Sequence, residues 1–375
     1  MIDPARILER LTELGVDLYT GVPDSLLKEF GRHVVAAVPR GRHIIAANEG
    51  ASVGIALGHY LRTGRPALVY LQNSGFGNAV NPLLSLADRE VYGIPMLLLI
   101  GWRGQPGVKD EPQHVKQGRV MTAMLDAMEL PWGVLPTDPD EADRLLTSAV
   151  ERAEADQTPF AILVEKDAFS PSAAPTSQPD TPDLSSREEA LQRLAEAVGD
   201  DAIVVSTTGM LSRELFEHRE TTGRSGARDF LTVGGMGHAS AIALGIAKRE
   251  PEREVWCFDG DGALLMHLGG LAVIADHAPR NYLHVVFNNG VHDSVGGQPT
   301  SIGVVDIPAI ARAAGYRSAA RLSDLADLPA AVADMRGSGG PALLELRVRP
   351  GNRPGIGRPT RTPAESKRTF MDAIR

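Results

Sequence analysis

Short apolar runs without polar alternation constrain this chain more than any other feature. His43–Ala47, Ala67–Leu71, Met96–Ile100 and Phe160–Val164 recur through the first half. Ala202–Val205, Glu254–Phe258, Tyr282–Phe287 and Ala342–Arg347 recur through the second, with helical patterns between them. A strand with one wet face alternates apolar with polar residues, whereas a continuous run needs cover on both faces. The alternation with helices therefore predicts an α/β fold of mainly parallel sheets flanked by helices. Ligands of such sheets collect beyond the carboxyl ends of the strands, so chemistry is sought in the segments just after each run.

The segment 170–186, SPSAAPTSQPDTPDLSS, has no apolar periodicity and predicts an extended linker. It separates a first domain, 1–169, from a second, 187–375, and both open alike. Asp3-Pro4 caps a helix carrying Ile7, Leu8, Leu11 and Leu14, before a strand expected near Val16–Tyr19. Ser186 with Glu189 makes a capping-box pattern before Leu191, Leu194 and Val198. Two similar domains follow from this symmetry. A net charge of −9 argues against a general nucleic-acid binder. One cysteine, Cys257, excludes a disulfide framework and a multi-cysteine metal site. Neither a signal peptide nor a bilayer-length apolar run is visible, so a soluble, cytoplasmic protein without a membrane partner is expected.

After Glu254–Phe258 comes Asp259-Gly260-Asp261-Gly262-Ala263, then a helical stretch to about His277, and Tyr282–Phe287 ends in Asn288-Asn289-Gly290. One right-handed strand–helix–strand unit sets Asp261 and Asn289 at the same edge of a sheet. A carboxylate and an amide oxygen there suit Mg²⁺. The glycines and the helix N-terminus suit a phosphate. A turn followed by an asparagine cap is the plainer reading of the same residues. Ser206-Thr207-Thr208-Gly209-Met210 follows another strand and offers hydroxyl and N–H groups, Thr208 and Gly209 among them, to a diphosphate.

This pattern resembles the signature of thiamine-diphosphate enzymes. The resemblance implies that Asp261, Asn289 and the Val291 carbonyl hold Mg²⁺, with Gly262 and Ala263 near the diphosphate. It implies a glutamate that hydrogen-bonds the aminopyrimidine ring; Glu49, just past His43–Ala47 and opening a helix, matches that position. An acid favoured by the helix dipole is the alternative. In Val233-Gly234-Gly235-Met236-Gly237-His238, the resemblance assigns a carbonyl to Gly234 and an apolar wedge under the cofactor to Met236. A core methionine in a glycine turn is the alternative. The family builds each active site from two subunits, which implies a homodimer or higher oligomer.

TGVPDSLLKEF, LQNSGFGNAVNPL, GWRGQPGVKDEPQHVKQGR, NNGVHDSVGGQPT and GRPTRTP resemble the phosphonopyruvate decarboxylases within this superfamily, with sulfopyruvate decarboxylases as near relatives. The implied reaction turns 3-phosphonopyruvate into phosphonoacetaldehyde and CO₂. A small anionic 2-oxo acid suits Arg103, Lys109, His114, Lys116 and Arg119, which gather in one loop of an acidic chain. Asp110 and Glu111 in the same loop leave a solvated surface segment as the alternative. Asp24, Ser25 and Asn73 follow strands and are expected to line the substrate pocket. His114, His292 and Asp293 are candidates for proton transfer. A sulfopyruvate decarboxylase, a carboligase and a catalytically silent thiamine-diphosphate-binding protein are the competing functions.

Overall fold

In Met96–Gly101, Leu97 and Leu99 enter one hydrophobic cluster while Met96, Leu98 and Ile100 enter another, on the opposite face of the sheet. Successive side chains of a strand point to opposite faces, so an apolar run serves two cores at once. Tyr282–Asn288 does the same in the second half: Leu283, Val285 and Phe287 face one cluster, Tyr282 and Val286 the other.

The computed structural model describes residues 1–175, 181 and 183–375; residues 176–180 and 182 of the predicted linker lie outside the described residues. The chain divides into two units, Met1–Ser177 with Val295–Pro299, and Gln178–Ser294 with Thr300–Arg375. In the first, β1 (Tyr19–Gly21), β2 (His43–Ile45), β3 (Ala67–Gln72), β4 (Met96–Gly101), β5 (Trp132–Val134) and β6 (Phe160–Val164) form a six-stranded sheet. Its order is β2-β1-β3-β4-β6-β5. In the second, β7 (Ile203–Ser206), β8 (Asp229–Leu231), β9 (Val255–Gly260), β10 (Tyr282–Asn288), β11 (Ser318–Leu322) and β12 (Ala342–Arg347) run β11-β12-β10-β9-β7-β8. Read from its other edge, the second order repeats the first. All pairings within the two sheets are parallel. In each sheet the chain leaves its first strand to one side and returns on the other. That reversal opens a crevice beyond β1 and β3, and beyond β7 and β9.

Three details differ from the sequence expectations. The first strand is Tyr19–Gly21 rather than Val16–Tyr19, because the Val16 N–H closes the preceding helix on the Leu11 carbonyl at 2.9 Å. The helix expected over 264–277 is two, Asp261–Met266 and Gly270–His277, broken at the glycine pair Gly269-Gly270. β5, β8 and β11 were not anticipated; all three are sheet edges, where one flank stays unpaired and a long apolar run is not required. Among the described residues no helix is long and apolar enough to cross a membrane.

Leu99 is fully buried at the centre of the first sheet. Leu99→Ala should therefore cost about 2–5 kcal/mol of stability, read as a lower urea midpoint for the transition that includes the first unit.

Candidate active site

In the first unit, the loop after β2 ends at Asn48, whose side chain caps the helix Glu49–Thr63 by accepting the Ala51 N–H at 2.9 Å. The cap fixes Glu49 as the first helical residue, 4% exposed. Its carboxylate accepts the Asn78 side-chain amide at 2.8 Å. Burial raises the carboxyl above its ordinary range, opposed by that amide. A Cβ on Gly75 would overlap the Glu49 carboxylate, so glycine at 75 makes room for the acid.

Asp24 follows β1 and is 1% exposed. One of its oxygens accepts the Leu26 and Leu27 N–H groups at 2.9 and 3.2 Å. The other oxygen is buried with no hydrogen-bond partner. Burial pushes this carboxyl up to about 6. Here too a glycine gives way, since a Cβ on Gly101 would collide with the Asp24 carboxylate.

The loop after β4 is braced from within. Asn73 donates to the Arg103 carbonyl at 2.8 Å and accepts the Arg103 N–H at 3.1 Å. The Arg103 guanidinium grips Asp110 through two nitrogens and donates to the Ser25 hydroxyl at 2.8 Å. These three bonds use three of the five N–H donors of a guanidinium. Arg103 is thus part-neutralised by Asp110. Lys109, Lys116 and Arg119 are exposed. His114 is buried, and burial, aided by the Arg103 charge, lowers it to about 4, so its ring is neutral near pH 7.

In the second unit, β9 and β10 pair in parallel with Phe287 opposite Gly260. The residues that follow, Asp261 on one strand and Asn288-Asn289 on the other, leave the sheet at its carboxyl edge. Asn288 is buried and donates to Glu345 at 2.7 Å, a structural contact. Asn289 instead sits in the turn: its Oδ1 accepts the Val291 N–H at 3.1 Å and its Nδ2 donates to Asp293 at 2.7 Å. Asp261 is 3% exposed and accepts the Thr300 hydroxyl at 2.7 Å. Its carboxyl is pushed up to about 6 by burial. A buried carboxylate beside an amide oxygen and a turn carbonyl is a hard-oxygen donor set, and it fits Mg²⁺.

Gly262 opens the helix Asp261–Met266, and Ala263 follows it in the first turn. The space where Gly262 would carry a Cβ lies 3.0 Å from the His292 ring and 3.4 Å from the Met236 methyl, so Met236 and His292 converge there. Burial lowers His292 to about 4. Met236 and Gly234 lie in the turn before the helix Ala239–Ala247, with Gly235 and Gly237 at φ 65° and 85°. Thr208 and Gly209 follow β7, and Gly209, at φ 100°, leads into the helix Met210–Thr222. Gly209, Arg213, Asp293, Ser294 and Arg353 help line a cavity of 280 Å³.

Asp293, a candidate for proton transfer, is held by several hydrogen bonds. It pairs with Arg187 at 2.9 Å and accepts Asn289 Nδ2 and the Gly351 N–H. Sequence reasoning also missed Asn78, Thr300 and Arg187. Each lies far along the chain from the residue it serves, and only Asn78 and Thr300 fall within motif segments.

Asp24 generates a pH prediction. The folded protein holds this proton up to about pH 6, while the unfolded chain releases it near the ordinary value of 3.8. Between those limits the folded state binds more protons, so the contribution of Asp24 to stability falls as pH rises. Asp24→Asn keeps the acceptor for Leu26 and cannot titrate. Its melting temperature relative to wild type should rise between pH 4 and pH 7; a constant difference would refute the raised pKa.

Two family models match the chain: "Thiamine pyrophosphate enzyme, N-terminal TPP binding domain" over residues 5–130, and "Thiamine pyrophosphate enzyme, C-terminal TPP binding domain" over 207–346. Thiamine pyrophosphate is thiamine diphosphate. The chain is 38% identical over 384 residues to a phosphonopyruvate decarboxylase of Streptomyces viridochromogenes, covering 99% of this chain and 94% of the relative. It is 37% identical over 386 residues to a phosphonopyruvate decarboxylase of Streptomyces hygroscopicus, with the same coverage. It is 27% identical over 391 residues to a sulfopyruvate decarboxylase of Methanosarcina acetivorans, covering 98% of this chain and 97% of the relative. Two parallel sheets of one topology, the two matched domains and similarity along the whole chain agree: this chain belongs to the thiamine-pyrophosphate-dependent decarboxylases.

Proposed function

We propose that this protein decarboxylates 3-phosphonopyruvate to phosphonoacetaldehyde and CO₂, with thiamine diphosphate and Mg²⁺. The observation that carries the proposal is 38% identity over 99% of the chain to a phosphonopyruvate decarboxylase. The lower identity to a sulfopyruvate decarboxylase makes the sulfonate the second choice.

When bound, thiamine diphosphate supplies the electron sink that lets CO₂ depart. The residues of the chain bind, orient and move protons around it. Asp261, the Asn289 amide oxygen and the Val291 carbonyl hold the cation. Thr208, Gly209, Gly262 and Ala263 face the diphosphate, the last two from the start of a helix. The Gly234 carbonyl would accept the amino group of the pyrimidine, and Met236 would supply an apolar side chain against the cofactor. Glu49, its carboxyl raised by burial, would share a proton with the pyrimidine ring, the role for which a raised acid is suited. Asp24, Ser25, Asn73, Arg103 and Lys109 form the substrate end. His114 and His292, neutral near pH 7, would relay a proton rather than hold charge. The division of labour follows the halves, 1–169 for the pyrimidine and 187–375 for the diphosphate, in a homodimer or higher oligomer whose sites are shared between subunits.

Glu49→Gln should bind the cofactor yet lose about 10²–10⁴-fold in turnover. If subunits share sites, mixing it with Asp261→Ala under exchange should restore roughly a quarter of wild-type activity through hybrid dimers. Near-normal turnover by Glu49→Gln removes Glu49 from the role, and absence of any restoration removes the shared site.

The substrate is tested by CO₂ release from phosphonopyruvate, sulfopyruvate and pyruvate at matched concentrations, with the aldehyde identified. Phosphonopyruvate should lead, and Arg103→Ala should lower its kcat/KM far more than that of pyruvate, which lacks the anionic head. A wild-type preference for sulfopyruvate overturns the substrate, and equal proportional losses in the variant confine Arg103 to bracing the loop.

A further inference from the structure

Asn289 alone does not determine which end of its amide faces a cation. A carboxamide is nearly symmetric in shape, and turned by half a revolution it would present N–H donors where an oxygen is needed. In this structure the two ends meet partners that each accept only one orientation. Nδ2 points at the Asp293 carboxylate, an acceptor only, at 2.7 Å, and Oδ1 receives the Val291 N–H at 3.1 Å.

Asp293 is itself held from three sides. Arg187 Nη1 donates to its Oδ2 at 2.9 Å, and the Gly351 N–H reaches Oδ1 and Oδ2 at 3.1 and 3.0 Å. Arg187 is anchored behind it by a two-pronged pair with Glu214, at 3.0 and 2.8 Å. All three charged side chains are nearly sealed, at 6%, 6% and 1% exposed for Arg187, Asp293 and Glu214.

We infer that Asp293, braced by Arg187, is a positioning residue that locks the Asn289 amide with its oxygen turned toward the bound cation. The inference rests on the cation site proposed above. Oδ1 of an amide has two lone pairs, so the Val291 N–H leaves one for the cation. Partners that orient a metal ligand are typically worth about 10–100-fold in metal affinity.

The test is Mg²⁺ titration by calorimetry, with the full-length protein in saturating thiamine diphosphate. In Asp293→Ala the Arg187–Glu214 pair stays balanced, so the fold should persist, checked by circular dichroism. Its Mg²⁺ dissociation constant should rise about 10–100-fold, and kcat should recover at saturating Mg²⁺. Asp293→Asn, which keeps one acceptor for Asn289, should show a smaller loss. Unchanged affinity in a folded Asp293→Ala overturns the inference, as do equal losses in the two variants. If Asp293→Ala does not fold, wild-type affinity in Asp293→Asn overturns it. A wild-type protein that takes up no Mg²⁺ with the cofactor refutes the Asp261–Asn289 site itself, a separate failure.

Discussion

A parallel sheet sends every strand out through one edge, and everything else in this protein depends on that restriction. Because β9 and β10 run side by side in the same direction, Asp261 and Asn289 must emerge as neighbours even though a helical segment separates them in sequence. Because both faces of the sheet are buried by helices, the carboxyl edge is where polar side chains can gather without interrupting a core. The same logic brings Asp24 and Asn73 to one edge in the first unit, after β1 and β3.

Gathering acids at a protected edge has an energetic consequence. Glu49, Asp24 and Asp261 are each at most 4% exposed, and burial raises all three. None is paired directly with a lysine or arginine at ion-pair distance among the described residues; hydroxyl, amide and backbone N–H groups partner them instead. In each unit, such an acid is left without a directly bonded cation of the chain's own. Asp110, Asp293 and Glu214 show the contrasting arrangement, each bonded to an arginine.

The fold was legible in the sequence at β3, β4, β6, β7, β9, β10 and β12, interior strands whose apolar residues serve both faces, and at the edge strand β2, while the interior strand β1 was expected three residues too early. It was illegible at β5, β8 and β11, edge strands of which β5 and β8 are only three residues long. The positions of Asp261, Asn289 and Glu49 just past strands were legible because motif spacing and strand ends coincide. Their supports were not: Asn78, Thr300 and Arg187 reach their partners across 29, 39 and 106 residues of chain, the last distance being to Asp293. Separations of that size leave no local pattern. The Arg103–Asp110 brace was illegible for a related reason. Arg103 and Asp110 are close in sequence, but composition cannot tell an internal brace from two solvated charges.

Gly75 and Gly101 carry a different kind of information. Neither has a functional group, yet each occupies the volume beside which a buried acid must lie. Alanine at either place would therefore push a buried carboxylate out of the position it holds here, while every acid, amide and histidine of the sequence stayed unchanged.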